Sequence, residues 1–427
     1  MAAARLVGME ASSNWWDELP TLVDRHGRAG AIAIAHAIEE AVDAVGTWCE
    51  ANGADAWYTK AGALSISAAP AQDRTWEAAI ELCRELGFGE KYPALTPAQV
   101  AARVRSPIFR GGVFMPGAAT VQPAILARAL RRALLVRGVT IHEGTTVTEI
   151  DGERPGWLGW AGAAGRRAPA GRAGRPVRVR TTSAAGDGEV VAHAAVVALN
   201  AWAAAWPSFG RRLVTWSSYM VLTEPIPDRL AEIGWTGGEG IADGRFTLHY
   251  LRTTRDGRIA LGGGGGRAGF GGRIASAFTD DLVSVRRAAA GLRRLFPSLA
   301  NVRIEDAWGG PIDITADHLP MFASLPGRPV HFGHGYSGNG VAPAVLGGQI
   351  LAALAMERRD DPVLALPLVG HLAQPFPPEP FRYAGARLVR EAIVRTESAE
   401  ERGAGPNPIL RALSRLPRRM GYHLGPE

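Results

Sequence analysis

A single stretch near the C-terminal end of the chain, VHFGHGYSGNGVAPAVLGGQILAALA, constrains the fold most strongly. It joins a short apolar strand, a glycine-rich turn and an apolar helix without interruption. Gly333, Gly335, Gly338 and Gly340 allow the backbone to approach a ligand closely, because glycine has no Cβ and tolerates positive φ. The helix that begins near Val341 directs its free N–H groups and the positive end of its dipole towards the turn. The pattern therefore predicts a ligand-binding site at this turn.

The composition excludes several classes of protein. The 427 residues are enough for two domains, and the hydrophobic and charged fractions, 47% and 21%, are those of an ordinary globular protein. The net charge of +6 comes from scattered arginines, so we expect no nucleic-acid partner. No signal peptide and no run of 18 apolar residues occurs, which predicts the absence of a membrane span. Cys49 and Cys83 lack metal-ligand spacing, which predicts reduced thiols, a cytoplasmic protein and no metal site.

The first half of the chain combines helical and strand patterns. Apolar residues at helical spacing predict helices over 29–52 and 71–86, and Thr96-Pro97 is typical of a helix start. The alternation over 62–68 predicts a strand. A further helix from about Gln122 passes through Arg137-Gly138 into two predicted strands, which span 139–143 and 147–151. We therefore expect an α/β unit packed on an open sheet.

The next segment predicts a surface insertion and a ligand-binding edge. Residues 153–176, rich in Gly, Pro, Ala and Arg, predict a surface hairpin insertion. The apolar run 194–199 predicts a buried parallel strand. Asn200, Ala201 and Trp202 follow at its carboxyl end, where open α/β sheets bind ligands.

Residues 211–308 predict a second domain. Strand patterns over 213–225, 245–254 and 257–263, with a helix over 280–296, indicate a mixed or antiparallel sheet that faces the substrate. Beyond residue 362, an amphipathic segment and a basic tail predict a helical extension over 363–427.

A nicotinamide-binding fold built on the glycine turn is disfavoured. Such a fold needs a second strand that ends in an acidic residue about 20 positions further on. Here the helix runs into MERRDDPVLALPLV and then into prolines. A nicotinamide-dependent dehydrogenase is therefore the weaker alternative.

Several motifs together resemble one family. GHGYSGNGVAPAVLGGQILA resembles the C-terminal flavin motif of the D-amino-acid-oxidase-like FAD-dependent oxidoreductases, which include glycine, sarcosine and γ-glutamylputrescine oxidases. WGGPIDITADHLPMFA, GAATVQPAILARALRRALLVRGVTIHEGTTVTEI and VVALNAWAA resemble further segments of that family. All of them occur in the family's order between about residues 30 and 360, which makes the set more specific than any one motif.

The resemblance implies two domains, with one departure from the family. The implied division is an FAD-binding domain over 1–45, 110–210 and 309–362, and a substrate domain over 46–109 and 211–308. The family's opening strand, G-x-G-x-x-G turn, helix and second strand have no counterpart in the numbered sequence. The resemblance therefore implies an incomplete Rossmann-like domain. A coding region that starts further upstream, a fragment and a chain that has lost tight FAD binding all remain open.

The resemblance also implies a chemistry. FAD would take a hydride from the carbon beside the nitrogen of an amine or amino acid, leaving an imine, with oxygen or another carrier as the final acceptor. The N–H groups from Ser337 to Val341 would face the flavin. The implied cofactor-binding residues are Val147, Asn200, Ala201, Trp202, Gly335, Ser337, Gly338, Asn339, Gly340 and Val341. The competing interpretation is a truncated, non-catalytic remnant that acts as a binding module.

Four residues are candidates for direct action on the substrate. His249 and Tyr250 lie next to each other on a predicted strand and point to opposite faces, so one of them can face the flavin. For each residue, the alternative is a structural role in the sheet. Tyr336 either closes the substrate pocket or packs beneath the flavin ring. Arg267 follows a run of glycines over 262–266 that lacks the phosphate-loop pattern, and the resemblance implies that it is a candidate contact for substrate or flavin.

Three further polar residues have an open role. Arg252 shares a predicted strand face with Tyr250, and is either a carboxylate ligand or a surface residue. Asp317 and His318 fit a turn beside the flavin better than a general base.

Overall fold

The computed structural model describes residues 10–11, 19–156, 175–263 and 265–422. Within them, the helices are α1 Leu19–Ala51, α2 Glu77–Glu85, α3 Pro97–Ala101, α4 Pro123–Val136, α5 Pro227–Ile233, α6 Leu282–Leu295, α7 Val341–Ala355, α8 Phe381–Glu401, α9 Pro408–Ser414 and α10 Leu416–Arg419. The strands are β1 Glu10–Ala11, β2 Ala63–Ile66, β3 Ala94–Leu95, β4 Gly112–Met115, β5 Ala119–Thr120, β6 Thr146–Ile150, β7 Val177–Ser183, β8 Gly186–Ala192, β9 Ala195–Val197, β10 Val214–Thr223, β11 Gly240–Asp243, β12 Tyr250–Thr253, β13 Ile259–Gly263, β14 Ile304–Ile314, β15 Met321–Ser324 and β16 Val330–His334.

An eight-stranded sheet in the order β14-β10-β13-β12-β11-β2-β4-β3 dominates the structure. Its strands pair antiparallel except for β11 and β2, which run parallel. The α/β class predicted from the sequence is thus confirmed, and of the two predicted alternatives, a mixed or an antiparallel sheet, the structure has the mixed one. β4 and the end of β14 extend this sheet across the predicted boundaries at 109/110 and 308/309, so the exact division into domains stays a prediction.

A smaller sheet positions the glycine turn. Its order is β15-β16-β9, with β9 parallel to β16. The parallel direction predicted for the run 194–199 is therefore present, although β9 covers only three of its residues. The prediction that this run is buried is wrong at Val196, which is 46% exposed. The remaining strands form a sheet in the order β6-β7-β8 and a two-stranded pair, β1 with β5.

Several local predictions are present as the sequence indicates. Thr96 caps α3 with a capping box, since its side chain accepts the N–H of Gln99 and the Gln99 side chain accepts the N–H of Thr96. α1 is kinked at Gly27, where φ is 70° and ψ is 171°, so the helix predicted over 29–52 corresponds to the part of α1 after the kink. The turns before the kink bury Leu19 and Leu22.

Two predicted strands differ from the structure. Residues 139–143 form no strand, because the N–H of Val139 donates to the carbonyl of Leu134 and so completes the C-terminal end of α4. The strand predicted over 245–254 is shortened to β12, because the N–H groups of Phe246 and Thr247 donate to the Glu397 carboxylate instead of a neighbouring strand. The insertion predicted over 153–176 lies mostly outside the described residues.

α7 lies against α1 and carries the site described below. Its sequence is apolar all round, as expected for a helix that is covered on several sides. Ala342, Leu346 and Ile350 of α7 share an apolar core with Ile34 and Ile38 of α1. Among the described residues, no helix has the length and apolar character needed to cross a lipid bilayer.

Candidate flavin and substrate site

The glycine turn links β16 directly to α7. Gly335 and Gly338 have φ values of 84° and 95°, and Ser337 has a φ of 51°. Two glycines in the left-handed region allow a sharp reversal between strand and helix that residues with a Cβ rarely adopt. The first N–H groups of α7 have no acceptor within their own helix. The predicted strand, turn and helix are therefore all present, and we call residues 335–341 the cradle.

Asp313, which sequence reasoning missed, lies beneath the cradle. Its Oδ2 accepts the N–H of Gly335 at 2.6 Å, and its backbone carbonyl accepts the N–H of Ser337 at 2.9 Å. The side chain is buried, and burial raises the pKa of Asp313 to about 6, although hydrogen bonds from the backbone of Gly335 and Tyr336 act in the opposite direction. An acidic residue inside the apolar segment GGPIDI was the available signal.

The hydrogen bond that the N–H of Ser337 donates to Asp313 reduces the number of turn N–H groups that are available to a ligand. Because the N–H of Ser337 donates to Asp313, it does not face a ligand as predicted. The N–H of Asn339 likewise donates to the carbonyl of Tyr336 at 2.9 Å. Of the predicted N–H contacts, those of Gly338, Gly340 and Val341 stay predictions, and Gly338 is the one of these three residues that lines the cavity described below.

A cavity of about 480 Å³ opens in front of the cradle. Ser337, Gly338 and Asn339 form part of its wall. Opposite them lie residues of the eight-stranded sheet and its loops, among them Ser65, Trp216, Ser218, Tyr250 and Ile312. The size lies within the range of small-molecule pockets.

Tyr250 is the predicted catalytic residue that lines this cavity. Its hydroxyl lies 3.0 Å from the Oγ of Ser218. Gly262 is required beneath the ring, because a Cβ there would lie 2.0 Å from Cζ of Tyr250. Gly265 and Gly266 of the same glycine run also line the cavity, which agrees with the predicted position of that run at a strand end.

His249 points away from the cavity. It is buried, and its Nδ1 lies 2.6 Å from Oδ2 of Asp243. Burial opposes the ionisation of Asp243. The charge and hydrogen bond of His249 outweigh burial, however, and hold the pKa of Asp243 below the usual range. The prediction that His249 and Tyr250 face opposite directions is therefore confirmed, and His249 has the structural role.

Three other candidates lie outside the cavity wall in the described part of the chain. Arg267 forms an ion pair with Asp281 on the surface, at 2.8 and 3.0 Å. Arg252 is buried on β12. Tyr336 packs against Phe322 with ring centroids 5.9 Å apart, and burial raises its pKa. Tyr336 was expected either to close the substrate pocket or to pack beneath the flavin ring, and its position agrees with packing beneath the site.

The turn between β14 and β15 contains Asp317 and His318. His318 lines the cavity, whereas Asp317 is buried and accepts a 2.9 Å hydrogen bond from Nε2 of His371. Burial favours the neutral form of Asp317, but His371 outweighs it and lowers the pKa. The position agrees with the predicted turn and gives Asp317 a structural partner.

The predicted residues on the adenine side lie elsewhere. Val147 is on β6, and Asn200, Ala201 and Trp202 begin a short 3₁₀ helix after β9. None of them lines the cavity described above. Since β9 and β16 are parallel, however, their carboxyl ends meet at one edge of the small sheet, which is where ligands bind in such sheets.

The arrangement fits the ring system of a flavin. Among the described residues, the protein atom that comes within 4 Å of a Cβ placed on Gly338 is Cδ1 of Ile312, at 3.9 Å. Space at this glycine is therefore open to a ligand. Apolar side chains of Met115, Trp216, Ile312 and Ile314 line the same cavity and suit a flat aromatic group.

Comparisons with known proteins give a consistent result. A family model described as FAD dependent oxidoreductase (DAO) matches residues 3–354. A probable oxidoreductase, OrdL, of Haemophilus influenzae is 27% identical over 252 residues, which are 58% of this chain and 50% of the relative. Gamma-glutamylputrescine oxidoreductase of Escherichia coli is 26% identical over 270 residues, 62% of this chain and 55% of the relative. The chain thus matches about half the length of these curated relatives.

The fold is also similar to solved structures. Glycine oxidase from Geobacillus kaustophilus superposes with a TM-score of 0.60 at 19% identity, covering 80% of this chain and 84% of that one. L-proline dehydrogenase from P. horikoshii gives a TM-score of 0.58 at 17% identity, covering 78% and 82%. At these identities the likeness establishes the fold.

Proposed function

We propose that this chain, which belongs to the DAO family of FAD-dependent oxidoreductases, oxidises the carbon–nitrogen bond of an amine or amino acid to an imine. The observation that carries the proposal is the cradle, whose residues Ser337, Gly338 and Asn339, just before α7, line a cavity shared with the eight-stranded sheet. Relatives and structural neighbours are named for reactions on a glutamylated diamine, glycine and proline. Their names support a small amine or amino acid as the substrate.

The cradle would hold the flavin ring and influence its chemistry. FAD, when bound, supplies a hydride acceptor for the carbon next to the substrate nitrogen. The N–H groups of Gly338, Gly340 and Val341 and the positive end of α7 stabilise negative charge beside them. Asp313 holds Gly335 and Ser337 in place, so these groups are fixed before a ligand arrives. Such an arrangement needs no strong side-chain base.

The sheet side of the cavity would position the substrate. Tyr250 and Ser218 offer hydroxyl groups, while Trp216 and Ile312 add apolar surface to the same cavity. Oxygen or another carrier would accept the electrons. A cytoplasmic setting is part of the proposal, since Cys49 and Cys83 are buried and form no disulfide with each other.

A nicotinamide-dependent dehydrogenase has no support from the fold. That alternative requires a second strand after α7, within one βαβ unit. In the described residues that follow α7, 356–422, the regular elements are helices. The glycine turn is therefore not the start of a nicotinamide-binding unit in the described chain.

The proposal is tested by flavin binding and reduction. The purified chain is incubated with FAD, freed of unbound FAD and examined for a flavin absorption spectrum. It is then mixed without oxygen with a panel of primary amines, N-methyl amino acids and α-amino acids. We expect at least one compound to bleach the spectrum and yield the corresponding aldehyde or keto acid. Absence of bound flavin at high micromolar FAD would instead support the non-catalytic binding module.

A further inference from the structure

The C-terminal segment closes one side of the cavity. We call residues 376–422, which contain α8, α9 and α10, the C-terminal cap; they lie beyond the 3–354 span that matches the family. Cap residues that line the cavity include Phe376, Phe381, Arg390, Ile393, Met420 and Tyr422. This wall stands in the same cavity as Ser337, Gly338 and Asn339 of the cradle. The cap therefore belongs to the site, although the family model does not include it.

Ion pairs fix the cap on the sheet domain. Arg245 lies 3.3 Å from Glu397 and 2.9 Å from Glu401, both on α8. All three side chains are largely buried. The Glu397 carboxylate also accepts the N–H groups of Phe246 and Thr247. These contacts give α8 a defined position relative to the cavity.

The charged residues along the cavity are mainly cations. Arg245 and Arg382 both have carboxylate partners: Glu397 and Glu401 for the first, and Glu379 at 2.8 Å for the second. Asp243 is the acidic residue of the wall, and it is hydrogen-bonded to His249. Within the described wall, the charge of Arg390 is compensated least.

Arg390 is anchored but weakly paired. Its Nε donates to the carbonyls of Gly265 and Gly266, which orients the guanidinium. The nearest carboxylate is that of Glu391, 3.5 Å from Nη1 and 43% exposed, which Arg395 approaches more closely at 2.9 Å. The side chain of Arg390 is only 16% exposed. Burial lowers the pKa of Arg390. A buried cation in this position gains stability from an anion in the cavity.

We propose that Arg390 binds the carboxylate of the substrate, so that the C-terminal cap selects amino acids over simple amines. The inference rests on the proposed function and assigns its substrate class. A guanidinium matches a carboxylate through two parallel hydrogen bonds. Phe376, Phe381 and Ile393 surround the cavity beside Arg390 with apolar surface. The preferred substrate is therefore an amino acid with an apolar side chain or an apolar substituent on nitrogen.

The first test measures binding without turnover. Phenylacetate and phenylacetamide have the same size and differ in charge, and their affinities are measured by calorimetry on the full chain, with and without FAD. We expect the wild-type protein to bind phenylacetate at least about tenfold more tightly. Equal affinities, or no binding of phenylacetate at millimolar concentration, would overturn the proposal. Neither result depends on catalytic activity, so failure here is distinct from failure of the proposed function.

Variants locate the effect at Arg390. In Arg390→Gln, the affinity for phenylacetate should fall by about 10- to 100-fold, while that for phenylacetamide stays unchanged. Arg390→Lys keeps the charge and should recover part of the loss. Arg395→Gln is the matched control, because Arg395 lies on the same helix and is 61% exposed. An unchanged ratio of the two affinities in Arg390→Gln would contradict the assignment, and the wild-type comparison stands even if this variant fails to fold.

Discussion

The buried carboxyl of Asp313 should make the stability of the cradle depend on pH. Asp313 is 1% exposed, and its pKa in the folded chain is about 6 compared with the ordinary 3.8. The perturbation is Asp313→Asn, which keeps the shape and an oxygen that accepts the N–H of Gly335. It removes the ionisable proton, so the variant lacks the pH dependence due to this group.

The direction and size of the effect follow from the two pKa values. The folded state binds the proton more tightly than the unfolded state, so the contribution is fully present below 3.8 and is lost as pH rises through about 6. The difference corresponds to about 3 kcal/mol in the free energy of unfolding. Between about pH 4.5 and about pH 7.5, about 2 kcal/mol of this is lost from the wild-type protein.

The assay is urea unfolding of both proteins at the two pH values. Subtracting the variant from the wild type removes the contributions of all other titrating groups that do not interact with Asp313. We expect the free energy difference to change by about 2 kcal/mol in favour of the variant as pH rises. Asp306→Asn is the control, because Asp306 is an exposed residue of β14. This variant shows the effect of removing a carboxyl group that is in contact with water in the folded protein. The same difference at both pH values would refute the burial of an ionisable Asp313 beneath the cradle.

Two further predictions concern packing around the site. Gly347→Ala should lower the free energy of unfolding by about 1–3 kcal/mol, because its Cβ would lie 2.4 Å from Cε1 of Phe322. Gly348→Ala, with open space at the neighbouring position, should instead raise it by up to about 1 kcal/mol; equal effects in thermal unfolding would contradict this contrast. His249→Leu should cost about 3–5 kcal/mol at neutral pH because it leaves the buried Asp243 carboxylate without its closest partner. Urea unfolding should show a smaller loss in acid, where this carboxyl is protonated; a loss that is independent of pH would contradict it.

Local chemistry made the cradle predictable from the sequence. Glycines that need positive φ, an apolar strand before them and an apolar helix after them all occur within 26 consecutive residues. Alternation along the strand also predicted that His249 and Tyr250 face opposite directions. It did not indicate which of them faces the cavity, because that depends on Asp243, which approaches from another strand.

Long-range contacts were not predictable from one sequence. Asp313 and Gly335 come together only because β14 ends beside the cradle. Arg390 reaches Gly265 across 125 positions of the chain, and no periodicity encodes that distance. An amphipathic pattern predicted a helical extension beyond residue 362 but not the surface that α8 covers. The C-terminal cap, and with it Arg390, was therefore recognised only in three dimensions.

The central claim, that the cradle holds the flavin ring, is tested most directly by the FAD affinity of Gly338→Val. A β-branched residue there is strained at a φ of 95° and fills space that the cavity leaves to the ligand. Gly53→Val is the matched control, since Gly53 also has positive φ and open space but lies at the end of α1. Titration by flavin fluorescence should show FAD binding weakened by at least about tenfold in Gly338→Val and unchanged in the control. Wild-type affinity in Gly338→Val would contradict the account.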